Sequence, residues 1–364
     1  MELHILYALY YNKHISRKQF IILRRRMRSR KAAVLEEDAR REQSFDLDDY
    51  SDKECRAYFR FKREALFQLL EAFGIPDVVR TPSRDSATGL EALCIVLRRL
   101  AYPNRWLEMR KMFGRSHSSL NRLFHATLRV IDRSSKVLKT WDHSWLKEDD
   151  FEIYADSIAA KGGPGVIRDV FAFIDGTARP ICRPIFYQRQ MFSGHERIHC
   201  TKWQSVVLPN GLILNLYGGQ RGSMHDSRLL NESKILEELH EKQAGFVRKY
   251  VLYGDSGYAK KNGILHKPRS RIEIRHSKAK KDQNTLMSKL RQSVEWCSKE
   301  VVTKFAFVDF RKQMKLYEKP VNRIYRVAVL LTNCHHCLYP NQTSRYFDLE
   351  PPSLFEYLSC SQED

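Results

Sequence analysis

The sequence predicts an α/β protein in which a mixed β-sheet flanked by helices follows an all-α region containing a helix-turn-helix. A change of pattern along the chain predicts this order. Before residue 140 apolar side chains recur at helical spacing, whereas from Val170 onward short apolar runs alternate with turn residues, as strands do. Of the 364 residues, 43% are hydrophobic, which is enough for a packed core and excludes a wholly disordered chain.

The charge of the chain is the other observation that bears on its class. The 63 Lys and Arg residues outnumber the 43 Asp and Glu residues, so the net charge is +20 at pH 7. Such an excess favours a polyanionic partner, of which nucleic acid is the first choice. No stretch approaches the roughly 20 apolar residues of a membrane-spanning helix. The opening residues lack the pattern of a signal peptide, so we expect no membrane association and reduced cysteines.

Residues 1–48 are predicted to form a basic N-terminal arm. Arg24, Arg25 and Arg26 are followed closely by three further basic residues. This cluster is typical of a nuclear localisation signal or a phosphate-binding arm, but a solvated helix or tail has the same composition. We expect the protein to act in the nucleus.

Residues 49–140 are predicted to be helical, with a helix-turn-helix over about 89–131. The three helices expected there are Glu91 to Tyr102, Trp106 to Phe113 and Ser118 to Ile131. Gly114 makes a turn before the last helix, which is the layout of a DNA-binding helix-turn-helix. The residues expected to reach DNA are Ser118, Asn121 and Arg122. The alternative interpretation is a plain helical bundle.

Residues 141–169 are predicted as a connector and 170–340 as a second domain, before a C-terminal tail at 341–364. The strands expected in that domain are Val170 to Ile174, Lys202 to Leu208, Leu212 to Tyr217, Tyr250 to Tyr253 and a short one at Gly263 to His266. The helices expected there are Ser227 to Lys242 and Asn284 to Thr303. This order fits the RNase H-like fold.

Acidic residues stand at the ends of two of these strands. Asp175 and Asp255 each follow an apolar strand and precede a small residue. If the two strands are neighbours, the carboxylates emerge side by side, and such close like charges favour a bound cation. Glu295 on the late helix is a third candidate ligand. Asp226 opens a helix and is either a fourth acid of the site or a helix cap. Together they predict a two-metal site for phosphoryl transfer.

At these residues the sequence resembles the DDE transposases of the Harbinger or PIF-like superfamily. The matching stretches are Ile174-Asp175-Gly176-Thr177, Phe192-Ser193-Gly194-His195 continuing to Lys202-Trp203-Gln204, Gly222-Ser223-Met224-His225-Asp226-Ser227, Gly254-Asp255-Ser256-Gly257-Tyr258, Val294-Glu295 and Leu331-Thr332-Asn333-Cys334-His335. The likeness runs through residues 165 to 340 in order. It implies an RNase H-like domain that cleaves DNA strands and joins the freed 3′ ends to target DNA, using a divalent metal, Mg²⁺ or else Mn²⁺.

Transferred residue by residue, the resemblance makes Asp175 the first acid and Glu295 the last. The middle ligand is either Asp226 or Asp255, and strand order favours Asp255. The basic residues expected to contact DNA in this domain are Lys202, Lys260, Lys261, Arg291 and Lys299. The implied partners are DNA, an accessory DNA-binding protein and further copies of the chain. Two alternatives stay open: a domesticated host protein that binds DNA without transposition, and a plain nuclease of the same fold.

Overall fold

Helices form the first part of the chain, and the strands of the main sheet come later. The computed structural model describes residues 6, 9–10, 12, 14–25, 45–258, 265–266, 270 and 277–359. The helices before the main sheet are α1 (Asp52–Phe59), α2 (Arg63–Ala72), α3 (Gly89–Ala101), α4 (Trp106–Phe113), α5 (His117–Arg133) and α6 (Glu148–Gly162). A small two-stranded sheet of β1 (Val78–Arg80) and β2 (Ser86–Thr88) lies among them.

The second part contains a mixed sheet with helices around it. Its strands are β3 (Val170–Pro180), β4 (Phe192–Ser193), β5 (Ile198–Val207), β6 (Ile213–Arg221), β7 (Val251–Tyr253) and β8 (Leu265–His266). The remaining helices are α7 (Gln188–Met191), α8 (Asp226–Ser233), α9 (Ile235–Lys242), α10 (Lys278–Lys304), α11 (Val321–Leu338), α12 (Gln342–Phe347) and α13 (Leu354–Leu358). The predicted α/β class, with helices flanking a mixed sheet, is confirmed.

Strand β3 lies at the centre of the sheet. It pairs antiparallel with β5 on one side and parallel with β7 on the other. Beyond these neighbours β6 pairs antiparallel with β5, β8 pairs parallel with β7, and β4 pairs with the first residues of β5. The prediction that the strand ending at Tyr253 lies beside the strand containing Ile174 is therefore confirmed.

Helices α3, α4 and α5 occupy the places that the sequence predicted for three short helices. Gly114 ends α4 with a φ of +56°, a left-handed conformation that glycine adopts without steric cost. Ser116 then caps α5, because its side chain accepts a hydrogen bond from the backbone N–H of Ser119. The turn between α4 and α5 is thus as short as the sequence indicated.

The structure differs from the sequence-based elements in three places. The single helix expected from Ser227 to Lys242 is broken into α8 and α9 at Lys234, whose φ of +54° ends the first helix. Residues 141–169, expected as a connector, contain the fifteen-residue helix α6. The expected C-terminal tail contains α12 and α13, which bury Phe347, Leu354 and Tyr357. Apolar burial orders these segments although they lack a strong periodic pattern.

The helical part and the sheet share one hydrophobic core. Helix α10 packs against β3 and α6, and α11 packs against β6 and α5. An ion-paired clasp reinforces the second contact, because Asp132 of α5 accepts hydrogen bonds of 2.9 Å from Arg323 and 2.8 Å from Arg326 of α11. Within the described part of the chain, no helix has the length and apolar content that crossing a membrane requires.

Buried polar groups tie α10 and α11 to the turn between β5 and β6. The His336 ring places Nδ1 2.8 Å from the carbonyl oxygen of Gly211 and Nε2 2.6 Å from Oε2 of Glu300. Burial alone would raise the pKa of Glu300, but His336 and Lys304 lower it to about 2. The ionised carboxylate is therefore the form that the fold stabilises.

This arrangement predicts an acid-labile contribution to stability. The folded-state pKa of Glu300 is about 2, below its ordinary value of 4.5, so the stabilisation is complete above pH 4.5 and is lost as the pH falls toward 2. We expect Glu300→Gln to lower the free energy of unfolding by about 3 kcal/mol at pH 7 and to flatten its acid dependence. Urea unfolding at a series of pH values measures both. Exposed Glu71→Gln is the control, and an unchanged acid limb would contradict the prediction.

Candidate active site

The sheet brings Asp175 and Asp255 to the same edge. In the parallel pair of β3 and β7, Phe173 lies opposite Tyr253. Asp175 stands two residues further along β3, and Asp255 comes two residues after the end of β7. The charge of Asp255 acts on the Asp175 carboxyl, so the two acids are close together. Asp255 is held in a turn, where its Oδ1 accepts a 2.9 Å hydrogen bond from the backbone N–H of Gly257.

Asp226 joins this edge from the first residue of α8. The residue that caps α8 is His225, so the capping interpretation of Asp226 is wrong. Its Oδ1 approaches within 2.7 Å of the position that a Cβ of Gly176 would occupy, so any larger residue directly after Asp175 would displace the Asp226 carboxylate. The same oxygen is buried without a hydrogen-bond partner among the described residues, while Lys202 Nζ forms a 3.6 Å ion pair with it.

Glu295 is linked to the other acids by Arg291, which lies one helical turn before it on α10 and forms ion pairs with both Glu295 and Asp175. The guanidinium of Arg291 lies 3.1 Å from Asp175 Oδ1 and 3.7 Å from Glu295 Oε1. Arg291 thus carries the positive charge between the first and last acids. The side chain of Asp175 is 18% exposed and that of Glu295 is 60% exposed, so the cluster opens to solvent on the side of α10.

The electrostatics of the site centre on Asp175. Burial raises the pKa of this carboxyl to about 6, Arg291 opposes the shift, and the charges of Asp255 and Glu295 add to it. Carboxylates crowded together in this way are typical of sites that bind a cation. The surrounding protein therefore destabilises the charge of Asp175.

Tyr258 is a site residue to which the sequence assigned no role. Its ring is buried, its hydroxyl has no hydrogen-bond partner among the described residues, and Gly254 leaves room for the ring. Burial raises the pKa of this phenol well above its usual value, and the charges of Asp226, Asp175 and Asp255 raise it further. A neutral O–H donor therefore faces the acids. The only signal in the sequence was its place in the stretch after Asp255.

The donor atoms of this cluster suit a hard divalent cation. Carboxylate oxygens are the ligands that Mg²⁺ and Mn²⁺ prefer, and the unpartnered Oδ1 of Asp226 is such an oxygen. Nevertheless, no group of three or more His, Cys, Asp or Glu side chains among the described residues is close enough together to hold one ion. The residues fit the metal by their chemistry, while Arg291 separates Glu295 from Asp175.

Comparison with known proteins bears on this acid cluster. Residues 174–333 match the family model of the DDE superfamily endonucleases. The matched stretch, which we call the DDE endonuclease region after the family that it resembles, covers less than half of the chain and contains Asp175, Asp226, Asp255 and Glu295. It implies nuclease activity on DNA. Searches of curated proteins and of solved structures found no match.

The basic residues predicted to bind DNA within the DDE endonuclease region have varied surroundings. Lys202 is 11% exposed and pairs with Asp226, and Arg291 pairs with Asp175 and Glu295, so both act within the acid cluster. Lys299 lies exposed on α10. Lys260 and Lys261 lie outside the described residues.

The helix predicted to dock on DNA lies before the DDE endonuclease region. Ser118 and Asn121 are half-buried on α5. Arg122 has a partner that the sequence did not indicate: its Nε and Nη2 lie 2.5 and 2.9 Å from the carboxylate oxygens of Asp85. This hydrogen-bonded pair is the largest cause of the lowering of the Asp85 pKa to about 2. Arg122 is therefore bound to a carboxylate within the fold, whereas the sequence suggested that it contacts DNA.

Proposed function

We propose that the protein is a metal-dependent DNA endonuclease of the transposase type, which cleaves DNA strands and transfers the freed ends. The observation that supports this most directly is the meeting of Asp175, Asp226 and Asp255 at one edge of the sheet, with Glu295 joined to them through Arg291. The resemblance to Harbinger or PIF-like transposases supports strand transfer in addition to cleavage. As part of this proposal the protein acts in the nucleus, where further copies or an accessory DNA-binding protein can join it.

Asp175, Asp255 and Glu295 are the proposed metal ligands, with Asp226 at or near the metals. A bound pair of divalent ions would activate the attacking hydroxyl and stabilise the leaving oxygen of the phosphodiester. The chain itself holds the acids in place: Gly257 orients Asp255, Lys202 offsets the charge of Asp226, and Arg291 offsets that of Asp175. Burial of Tyr258 excludes water from the inner side of the cluster.

The experiment that tests this proposal follows cleavage and joining separately. The purified full-length chain is incubated with end-labelled DNA and Mg²⁺ or Mn²⁺, with EDTA as the control. We expect strand breaks and, when target DNA is present, covalent joining of labelled 3′ ends. Breaks without joining would favour the plain nuclease, and binding without breaks would favour the domesticated DNA-binding protein.

We also propose that α5 is the recognition helix of a helix-turn-helix, with Ser118 and Asn121 as its contacts. The tight turn at Gly114 supports this, as does the +20 charge of the chain. We expect Asn121→Ala to weaken binding to duplex DNA about tenfold, since one good base contact contributes about 1–3 kcal/mol. Fluorescence anisotropy measures the affinity, and Gln342→Ala on α12 is the control. Equal affinities of Asn121→Ala and the wild type would favour the plain helical bundle.

A further inference from the structure

A surface of exposed aromatic rings lies between β3 and β5 and beside the loop before α11. Its members, which we call the aromatic platform, are Phe186, Tyr187, Phe192 and Tyr317, with exposed fractions of 64%, 63%, 39% and 68%. Ile185 beside them is 78% exposed. We propose that this platform binds unpaired DNA bases by stacking. The proposal rests on the proposed function, because cleavage of DNA at the acid cluster would produce the unpaired bases that the platform binds.

Contacts between two chain segments hold the platform together. The rings of Phe186 and Tyr317 meet at a centroid distance of 6.5 Å and an angle of 72°. Nearby, the backbone N–H of Cys182 donates a 2.8 Å hydrogen bond to the carbonyl oxygen of Met314. Segment 182–192 and segment 311–317 therefore meet, with the exposed rings of Phe186 and Tyr317 in contact.

The fold exposes these rings instead of burying them. Tyr187 has a φ of +58°, a left-handed conformation that is uncommon for a residue with a bulky side chain. Arg183 Nε donates a 2.8 Å hydrogen bond to Gln188 Oε1 across this turn. Strain of this kind persists only where the surrounding contacts maintain it, and it occurs most often at functional sites.

The charge around the platform matches a polyanion. The exposed basic residues on the same two segments are Arg183, Arg189, Arg311, Lys312 and Lys315, and exposed Arg197 follows β4. Burial lowers the pKa of His199, and the charges of Arg183 and Arg311 lower it further, which places those two cations near the ring that packs against Phe192. Within residues 181–202 the only acidic residue is Glu196.

Rings and cations together indicate a single strand in particular. A surface with only Arg and Lys side chains would suit duplex DNA or an acidic protein. The bases of duplex DNA are already stacked and paired, so they gain nothing from exposed rings. Exposed aromatic rings give unpaired bases a surface on which to stack, while neighbouring cations bind the phosphates, and this combination is typical of proteins that bind single strands.

The platform also lies close to the acid cluster. The carbonyl oxygen of Gln190 accepts a 3.0 Å hydrogen bond from the backbone N–H of Ser223, which is three residues before Asp226. In addition, β4 pairs with the start of β5, the strand that carries Lys202 to its ion pair with Asp226. Bases unpaired at the acid cluster therefore have an aromatic surface within the same part of the sheet.

The test measures binding of the full-length chain to fluorescein-labelled oligothymidylate and to a duplex of equal length, without divalent metal. We expect Phe186→Ala to weaken oligothymidylate binding about tenfold, because stacking one base contributes about 1–3 kcal/mol. Duplex affinity should not change. Phe355→Ala removes a ring of 46% exposure on α13 and should leave both affinities unaltered.

A conservative variant separates stacking from simple loss of structure. Phe186→Trp should bind oligothymidylate at least as tightly as the wild type, and its added tryptophan emission should be quenched on binding. Equal oligothymidylate affinities of wild type and Phe186→Ala would overturn the proposal. So would an equal loss on duplex, or a self-association that Phe186→Ala abolishes while oligothymidylate binding persists, which would identify a second copy as the occupant.

The platform and the proposed function can fail separately. A chain that cleaves DNA but binds oligothymidylate without help from Phe186 would refute the platform alone. A chain that shows the Phe186-dependent binding but never cleaves would refute the proposed function alone.

Discussion

We expect Asp175→Asn to abolish metal-dependent strand cleavage, with a fall in rate of about 10³-fold or more. Metal ions at a phosphoryl-transfer site contribute several kcal/mol of transition-state stabilisation, and each 1.36 kcal/mol corresponds to about a factor of ten in rate. Asp175 is the acid that contacts Arg291 and neighbours Gly176, where Asp226 makes its close approach. Initial rates of cleavage of end-labelled DNA in Mg²⁺ measure the loss.

The same substitution should leave the fold intact. Burial and two neighbouring carboxylates raise the Asp175 pKa to about 6, so the charge that this group carries at pH 7 destabilises the folded, metal-free protein. Asparagine keeps the shape and removes that charge. We therefore expect the metal-free variant to unfold at a temperature no lower than the wild type, as a thermal melt would show. A large loss of stability would make any loss of cleavage uninformative.

Asp255→Asn and Asp226→Asn should differ in their effects on cleavage. We expect the first to abolish cleavage, because Asp255 directly follows β7, the parallel neighbour of the strand that carries Asp175. Asp226 comes from a helix and is paired with Lys202, so its asparagine variant should keep a reduced but measurable rate. Exposed Asp77→Asn is the control. The reverse order would make Asp226 the middle ligand, a role that its unpartnered Oδ1 also suits.

We expect Asn333→Ala to lower the free energy of unfolding by about 3 kcal/mol or more. This fully buried side chain accepts a 3.0 Å hydrogen bond from the backbone N–H of Ile213 and donates bonds of 2.8 Å to the Ile213 carbonyl and 2.7 Å to the Tyr357 hydroxyl. Alanine would remove the bond to Tyr357 and leave the buried N–H and carbonyl of Ile213 without these partners. Unpaired buried groups of this kind cost about 1–3 kcal/mol each.

Urea unfolding of Asn333→Ala beside exposed Asn231→Ala on α8 provides the comparison. The control should differ from the wild type by less than about 0.5 kcal/mol, as surface substitutions usually do. If both variants unfolded at the same urea concentration as the wild type, the link between β6, α11 and α13 would contribute little to stability.

The sequence was enough to place two acids and their strands. Apolar runs followed by Asp175 and Asp255 predicted two strands that lie side by side, which the pairing of Phe173 with Tyr253 confirms. Gly114 and Ser116 likewise marked the start of α5, because glycine and serine act there through local backbone chemistry. Local patterns such as these are visible in a single sequence.

Other features depend on contacts between residues far apart in the chain. Nothing near Arg291 in the sequence indicates that it lies between Asp175 and Glu295, and the ion pair of Arg122 with Asp85 spans 37 residues. The break at Lys234 was missed for a different reason, since a lysine in a left-handed conformation carries none of the signal that glycine does. Tertiary packing determines these features.

On the proposed function, the clasp between Asp132 and the two arginines of α11 would also affect where DNA is cut. It joins α5 to a helix that packs on β6, so α5 cannot swing freely about the sheet that carries the acids. A duplex bound along α5 would therefore meet the acid cluster at a set distance and angle. On the proposed function, the number of base pairs between the recognised sequence and the cleaved bond is therefore constant.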